Sequence, residues 1–218
     1  MKRECYFYPG HGDEDHQRLT DDLKAFERHP EKRSRMIGAG AVLLVIDMQR
    51  YFLKSDSHAF LPSAPAILPR IISIIDAFRT ASLPVLFTRH GNRLDETGPM
   101  MSWWGGVLET GGSDWPLTEE VAETCRAGEV IDKGSYDAFH ETNLQERLSK
   151  AGVNEVHVCG VMTHLCCETT ARAAFVRGYN VAVAADATAT YNYDLHLGSL
   201  RGLAQGVARI TWSSEYRD

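Results

Sequence analysis

No apolar run in the 218-residue sequence approaches the ~20 residues that a membrane-spanning helix needs, so a membrane role is not expected. Positive charge is not in excess either: 23 Lys and Arg stand against 29 Asp and Glu, giving a formal net charge of -6. Because the basic residues are also scattered, neither nucleic acid nor an anionic membrane is an expected partner. Cysteine is scarce, with Cys5, Cys125, Cys159, Cys166 and Cys167 at irregular spacing. An odd, irregular set does not make a disulfide framework and suits a reducing compartment. The opening MKRECYFYPGHGDEDHQ has basic residues but no apolar stretch behind them, so no secretory signal is expected and the cytoplasm is the expected location.

Cofactor signatures are missing as well. Neither GxGxxG nor GxxxxGK follows the first predicted strand. His157, Cys159, His164, Cys166 and Cys167 are close in sequence, but they lack the paired spacing of structural zinc sites. No metal and no cofactor is therefore expected. The rest is the composition of an ordinary globular protein, for which a small-molecule site is the natural function.

Residues 1–38 are rich in charge, His and Gly, with one modest helical pattern (Leu19, Leu23, Phe26) around TDDLKAFERHPEK. They read as an N-terminal arm outside the main core, docked on it or on another subunit, ahead of one domain over 39–218. From residue 41 the pattern changes. AVLLVID (41–47) is a continuous apolar run ending in a carboxylate, as expected of a strand buried on both faces of a parallel sheet. Residues 64–82 carry apolar residues at helical spacing, and 83–90 read as a second strand. The alternation resumes with a strand at 128–133, a helix at 141–152, a strand at 154–161, a helix at 167–178, a strand at 179–187, a helix at 195–206 and a strand at 207–213. Six strands alternating with helices predict an α/β three-layer sandwich, a six-stranded parallel sheet with helices on both faces.

Ligands of such sheets sit outside the carboxyl ends of the strands. Asp47, His90, Lys133 and the turn from Gly160 to Cys166 occupy those ends, so an acid, a base and a thiol should converge. A carboxylate after six apolar residues needs a partner, and Lys133 after VID needs one of opposite sign. The two could simply neutralise each other, or they could serve the thiol between them. Cys166 falls at or near the first turn of the predicted helix, where free N–H groups and the dipole favour an anion, and a nearby lysine adds to the effect. A thiolate accessible near neutral pH is expected, with the same N–H groups available to an oxyanion and Asp47 to accept and return the proton. Cys167 points about 100° away around the helix and reads as a packing residue, as does Cys159.

The connection GNRLDETGPMMSWWGGVLETGGSDW (91–115) is long enough to be functional. Trp103 and Trp104 there are either a lid or pocket wall, or a cover for the core or a subunit interface.

The motifs LLVIDMQRYF, DKGSYDAFHETNL, GVMTHLCCETTARAAF and VAVAADATA, in that order, resemble the isochorismatase-like, or cysteine hydrolase, superfamily over about residues 41–213. The resemblance implies a catalytic triad of Asp47, Lys133 and Cys166 and hydrolysis of a C–N bond (amide or ureide) through a thioester. It further implies a cis peptide between Val161 and Met162 with an oxyanion hole at the N–H groups of Met162 and Cys166, and a homo-oligomer, dimer or tetramer. His90, Trp103, Trp104, Tyr136 and His164 are the substrate-pocket candidates, His164 being equally readable as a capping or packing residue. Nicotinamidases of the superfamily carry a DxH metal motif after the second strand, where this chain reads FTRHGN; the departure counts against both metal and nicotinamide. DMQRYF, SYDAFH, THLCC and LHLGSL resemble instead the isochorismatases, which cleave a vinyl ether without a covalent step and commonly carry glycine where this chain has Cys166. Their pocket tyrosine falls on Met162 and their pocket glutamine on His90. The complete triad favours the amidase reading; vinyl-ether hydrolysis and a catalytically idle assembly protein are the alternatives.

Overall fold

The run AVLLVI forms the first strand, β1 (Ala41–Ile46), and every one of its residues is buried. A computed structural model describes residues 2–8, 12–26 and 37–216. Five further strands, β2 (Val85–His90), β3 (Val130–Lys133), β4 (Glu155–Val161), β5 (Asn180–Ala189) and β6 (Arg209–Thr211), complete a sheet of order β3-β2-β1-β4-β5-β6. All five pairings are parallel, so a near-continuous apolar strand such as β1 is what its two covered faces demand.

The chain contains helices α1 (Gly12–Leu23), α2 (Arg50–Leu53), α3 (Ala64–Thr80), α4 (Pro99–Trp104), α5 (Glu119–Ala122), α6 (Leu144–Lys150), α7 (Glu168–Val176) and α8 (Tyr193–Gly206). Helix α3 buries Ile67, Ile71, Ile74, Ile75 and Phe78, a stripe at helical spacing, and each such side chain contributes about 2 kcal/mol of burial. β1-α3-β2 steps one way along the sheet and β4-α7-β5-α8-β6 the other. With right-handed crossovers, the two sets of helices lie on opposite faces. The reversal falls between β1 and β4, and the crevice beyond their carboxyl ends is the place where such sheets bind ligands.

Two local features shape that crevice. Gly160 faces Ile46 across the β1/β4 pair at φ 114°, and a Cβ there would lie 2.1 Å from the Ile46 carbonyl oxygen, so only glycine lets the strands close up. Between Val158 and Gly160 β4 advances two residues while its partners on β5 advance five, from Val183 to Thr188, so β5 carries a three-residue bulge. Asp186 in the bulge accepts hydrogen bonds from the Ser213 N–H (2.8 Å) and hydroxyl (2.6 Å), which ties the distortion to the chain end.

Element boundaries differ from the sequence expectation chiefly at the helix after β4. A single π-helical turn, Thr163–Cys167, precedes α7, so the helix begins four residues before the expected start at 167. The N-terminal segment packs on the chain's own core: Tyr6, Phe7, Leu19 and Leu23 are buried within it, while Phe26 is exposed beneath the Arg201 guanidinium. Residues 27–36, which include the end of TDDLKAFERHPEK, lie outside the described residues. No described helix is long and apolar enough to cross a membrane. No disulfide forms among the described residues.

Candidate active site

Asp47, Lys133 and Cys166 meet where β1, β3 and the turn after β4 end. Asp47 leaves β1 with φ 50°, a left-handed conformation that aspartate tolerates better than most residues and that is common at functional sites. Lys133 Nζ lies 2.8 Å from Asp47 Oδ2, with neither side chain exposed at all. The same ammonium donates to the Ser135 carbonyl (2.9 Å) and to Cys166 Sγ (3.3 Å), so each of its three hydrogens has a partner. Thr88 donates from its hydroxyl to Asp47 Oδ1 (2.6 Å) and accepts the Asp47 N–H (3.1 Å). Such saturation is what a buried charge pair requires.

Burial alone would raise Asp47. The Lys133 ammonium, His90 and the hydrogen bonds from Lys133 and Thr88 outweigh it, and the carboxyl is held below its ordinary pKa. Burial alone would lower Lys133, but Asp47 and then Cys166 keep it above its ordinary value. Cys166 behaves otherwise: burial pushes its thiol up, and the Asp47 charge adds to that effect against Lys133. Burial and the Asp47 charge thus oppose the thiolate that the helix position and Lys133 are expected to favour. The directions favour a carboxylate beside an ammonium, with a thiol whose ionisation burial opposes. Lys133 acts on the thiol in the expected direction, but burial acts the other way and is the larger effect.

Around this centre lie the pocket candidates. His90 is buried, and burial followed by Lys133 lowers its pKa to about 4, so the ring is neutral at physiological pH. Its Nδ1 is buried without a hydrogen-bond partner, and a ring nitrogen, Asp47 and Cys166 have atoms within 4.8 Å of one another. The His90 ring stands 6.4 Å from that of Tyr136, whose hydroxyl accepts the Trp104 indole N–H at 2.6 Å. Trp103 is not brought into this group: it is 79% exposed and faces solvent. His164 is half-buried, with Nδ1 2.6 Å from the Thr190 hydroxyl and its ring 6.2 Å from Tyr191. The peptide between Val161 and Met162 is cis, as the resemblance implies, directly before the turn that carries Cys166. Cys167 and Cys159 are fully buried packing residues.

Sequence reasoning overlooked Thr88, Gln49 and Ser135. Gln49 is buried; its amide donates to the carbonyls of His90 (2.9 Å) and Trp115 (2.6 Å), and its oxygen accepts the His90 N–H (2.8 Å). It clamps the end of β2 to the loop. A glutamine two residues past Asp47 and a lone hydroxyl in LPVLFTRH were the available signals.

The donor set at the end of β2 does not fit a DxH-type metal centre. Arg89 stands beside His90, its guanidinium paired with Asp132 and stacked on Trp115, and no carboxylate precedes the histidine. The metal-ligating atoms near His90 are those of Asp47 and Cys166, and a lysine ammonium at hydrogen-bonding distance from both opposes a divalent cation there.

Comparison with known proteins places the chain among relatives. The sequence profile of the isochorismatase domain matches residues 41–215. Nicotinamidase 3 of Arabidopsis thaliana is 44% identical over 173 residues, 78% of this chain and 83% of the relative. Of solved structures, a cysteine hydrolase from Pseudomonas syringae pv. phaseolicola 1448A superposes with a TM-score of 0.77 at 26% identity, over 83% of this chain and 93% of that one. N-carbamoylsarcosine amidase from Thermoplasma acidophilum gives a TM-score of 0.70 at 25% identity, over 79% and 96%.

Proposed function

The chain belongs to the isochorismatase family, and we propose that it is a cysteine-dependent hydrolase that breaks a C–N bond of a small amide or ureide through a thioester. The observation that carries the reading is the Lys133 ammonium in contact with both the Asp47 carboxylate and the Cys166 thiol. Asp47 takes the thiol proton as Cys166 Sγ attacks the carbonyl carbon, so charge is created only with the new C–S bond. The oxyanion rests against the N–H groups of Met162 and Cys166. Asp47 then returns the proton to the nitrogen, the C–N bond breaks, and ammonia or an amine leaves. Water, deprotonated by Asp47, cleaves the thioester and restores the thiol. Lys133 keeps Asp47 ionised in the resting site and balances the charge that moves to sulfur.

His90, Tyr136, Trp104 and His164 form the walls, and their rings suit a flat, unsaturated substrate. Relatives named as a nicotinamidase and an N-carbamoylsarcosine amidase support amide chemistry and bring nicotinamide back to the head of the candidates despite the missing DxH motif. The reading extends to a cytoplasmic homo-oligomer, dimer or tetramer, with a hydrolase domain over 39–218 and an N-terminal segment over 1–38. Light scattering that gave a monomer would contradict the assembly. Ammonia or amine release across a panel of small carboxamides and ureides, nicotinamide included, run beside isochorismate, tests the activity. Turnover of an amide supports the proposal, and turnover of isochorismate alone would overturn it.

A further inference from the structure

Residues 2–8 precede the span matched by the family profile, yet they reach under the turn that carries Cys166. The Tyr6 hydroxyl accepts the Thr190 N–H at 2.7 Å. Thr190 in turn has its own hydroxyl 2.6 Å from His164 Nδ1, two residues before Cys166. On its other side the Tyr6 ring stands 5.1 Å from that of His196, and Phe7 packs edge-on against the same imidazole at 5.3 Å. His196 Nδ1 is 2.9 Å from the Thr163 hydroxyl, and the Thr163 carbonyl accepts the Ser199 hydroxyl at 3.2 Å. Burial holds His196 neutral, with a pKa of about 3, so this contact does not vary with physiological pH. Thr163 and His164 are therefore both bonded to groups that Tyr6 covers, and they sit between Met162 and Cys166.

A segment lying outside the sheet's own elements frays unless fastened, and this one is fastened at several points. The N–H groups of Tyr6 and Phe7 donate to Ser63 Oγ at 2.8 and 3.2 Å. Glu4 donates its N–H to the Tyr191 carbonyl (2.9 Å) and accepts the Tyr193 N–H (3.0 Å). Arg3 donates to the His58 carbonyl and lies 5.1 Å over the Tyr191 ring.

We infer that residues 3–7 are a strap that positions the nucleophile turn, with Tyr6 acting through the Thr190–His164 and His196–Thr163 pairs. This rests on the proposal that Cys166 is the nucleophile. Without the Tyr6 oxygen a buried donor at Thr190 is left unpaired, and the cheapest remedy is a shift of Thr190 that drags His164 with it. A small displacement of the turn misaligns sulfur and oxyanion donors, which lowers the chemical step more than substrate binding.

The test is Tyr6→Phe, which keeps the ring and removes the oxygen. Its control is Tyr179→Phe, which also costs a buried tyrosine its hydroxyl hydrogen bond, the one accepted from the Gln145 amide at 2.8 Å, with no contact to residues 3–7 among the described residues. Two readouts are taken on each folded variant: kcat and KM on the amide the wild type cuts fastest, and the rate of Cys166 alkylation by iodoacetamide, read by peptide mass spectrometry. For Tyr6→Phe the strap predicts a fall in kcat of about tenfold, a KM within about twofold, and an alkylation rate changed by about threefold or more; Tyr179→Phe leaves all three within about twofold. Tyr6→Phe with wild-type kcat and alkylation rate, or Tyr179→Phe with the same kcat loss, overturns the inference. If Tyr6→Phe does not fold, Arg3→Ala, altered at the surface, decides it in the same two readouts: a kcat loss at constant KM supports the strap, and wild-type values overturn it. A wild type that cuts no amide would count against the proposed function, and the alkylation comparison would still judge the strap.

Discussion

Replacing Lys133 by methionine removes the cation and keeps most of the bulk. The ammonium lies 2.8 Å from Asp47 Oδ2 with no exposure of either side chain. At that distance the attraction is worth roughly 6 kcal/mol for an effective dielectric constant of about 20. The whole of it is not lost, because Asp47 can escape by taking a proton. Protonating a carboxyl whose unfolded pKa is ~3.9 costs about 4 kcal/mol at pH 7 and about 1.5 kcal/mol at pH 5, which caps the penalty.

In the wild type Asp47 has a lowered pKa, so its contribution is present above the unfolded value and is lost only as pH falls through the folded one. Without Lys133 burial dominates and the folded pKa rises above the unfolded value. Stability is then fully present below the unfolded pKa and is lost as pH rises through the folded one. Urea denaturation of both proteins at pH 5, 6 and 7 should therefore give a destabilisation of about 4 kcal/mol at pH 7 that shrinks by about 1.4 kcal/mol per unit of acidification. A loss below about 1 kcal/mol at pH 7, or one that ignores pH, would refute the picture of a dry, mutually dependent pair.

Three other outcomes are expected. With His90 held at about 4, kcat/KM should be level between about pH 6 and 8, with its acid limb below about pH 5; a limb centred near 6.5 would mean an ordinary histidine controls the reaction. Gly160→Ala should cost about 4 kcal/mol or more in urea denaturation or prevent folding, since its Cβ would meet the Ile46 carbonyl at 2.1 Å, and a loss under about 1 kcal/mol would contradict the close approach of β1 and β4. Trp103→Ala should leave KM within about twofold, whereas Trp104→Ala, which strips the donor from the Tyr136 hydroxyl, should raise it about fivefold or more; the reverse order would put the wrong tryptophan on the pocket.

Much of this site could be read from particular residues. AVLLVID names its strand because a doubly covered strand has no polar face to alternate. Asp47 ends that strand, and Lys133 ends the edge strand β3, each with a charge that must be answered, which ties them to one another from the sequence alone. Features that depend on distant chain segments were not legible. The bulge in β5 brings Thr190 beside His164, yet nothing in VAVAADATA marks where the register slips. Trp103 and Trp104 are identical in local sequence terms, and only the short helix α4 turns one outward and the other toward Tyr136. The forces opposing the thiolate are hidden for a related reason: helix position and a lysine can be read along the chain, whereas complete burial and the proximity of Asp47 are properties of the assembled crevice. Tyr6 and Phe7 likewise lie among charged neighbours that suggest an exposed arm, but their rings are core.

The central claim, covalent catalysis by Cys166, is tested most directly by ammonia or amine release from Cys166→Ala protein, measured on the amide that the wild type cuts fastest. In the proposed mechanism the Cys166 sulfur forms the intermediate, so turnover should be lower by roughly a thousandfold or more in a protein that still folds. Turnover within about tenfold of the wild type would contradict it, because the bond would then be breaking without the thioester.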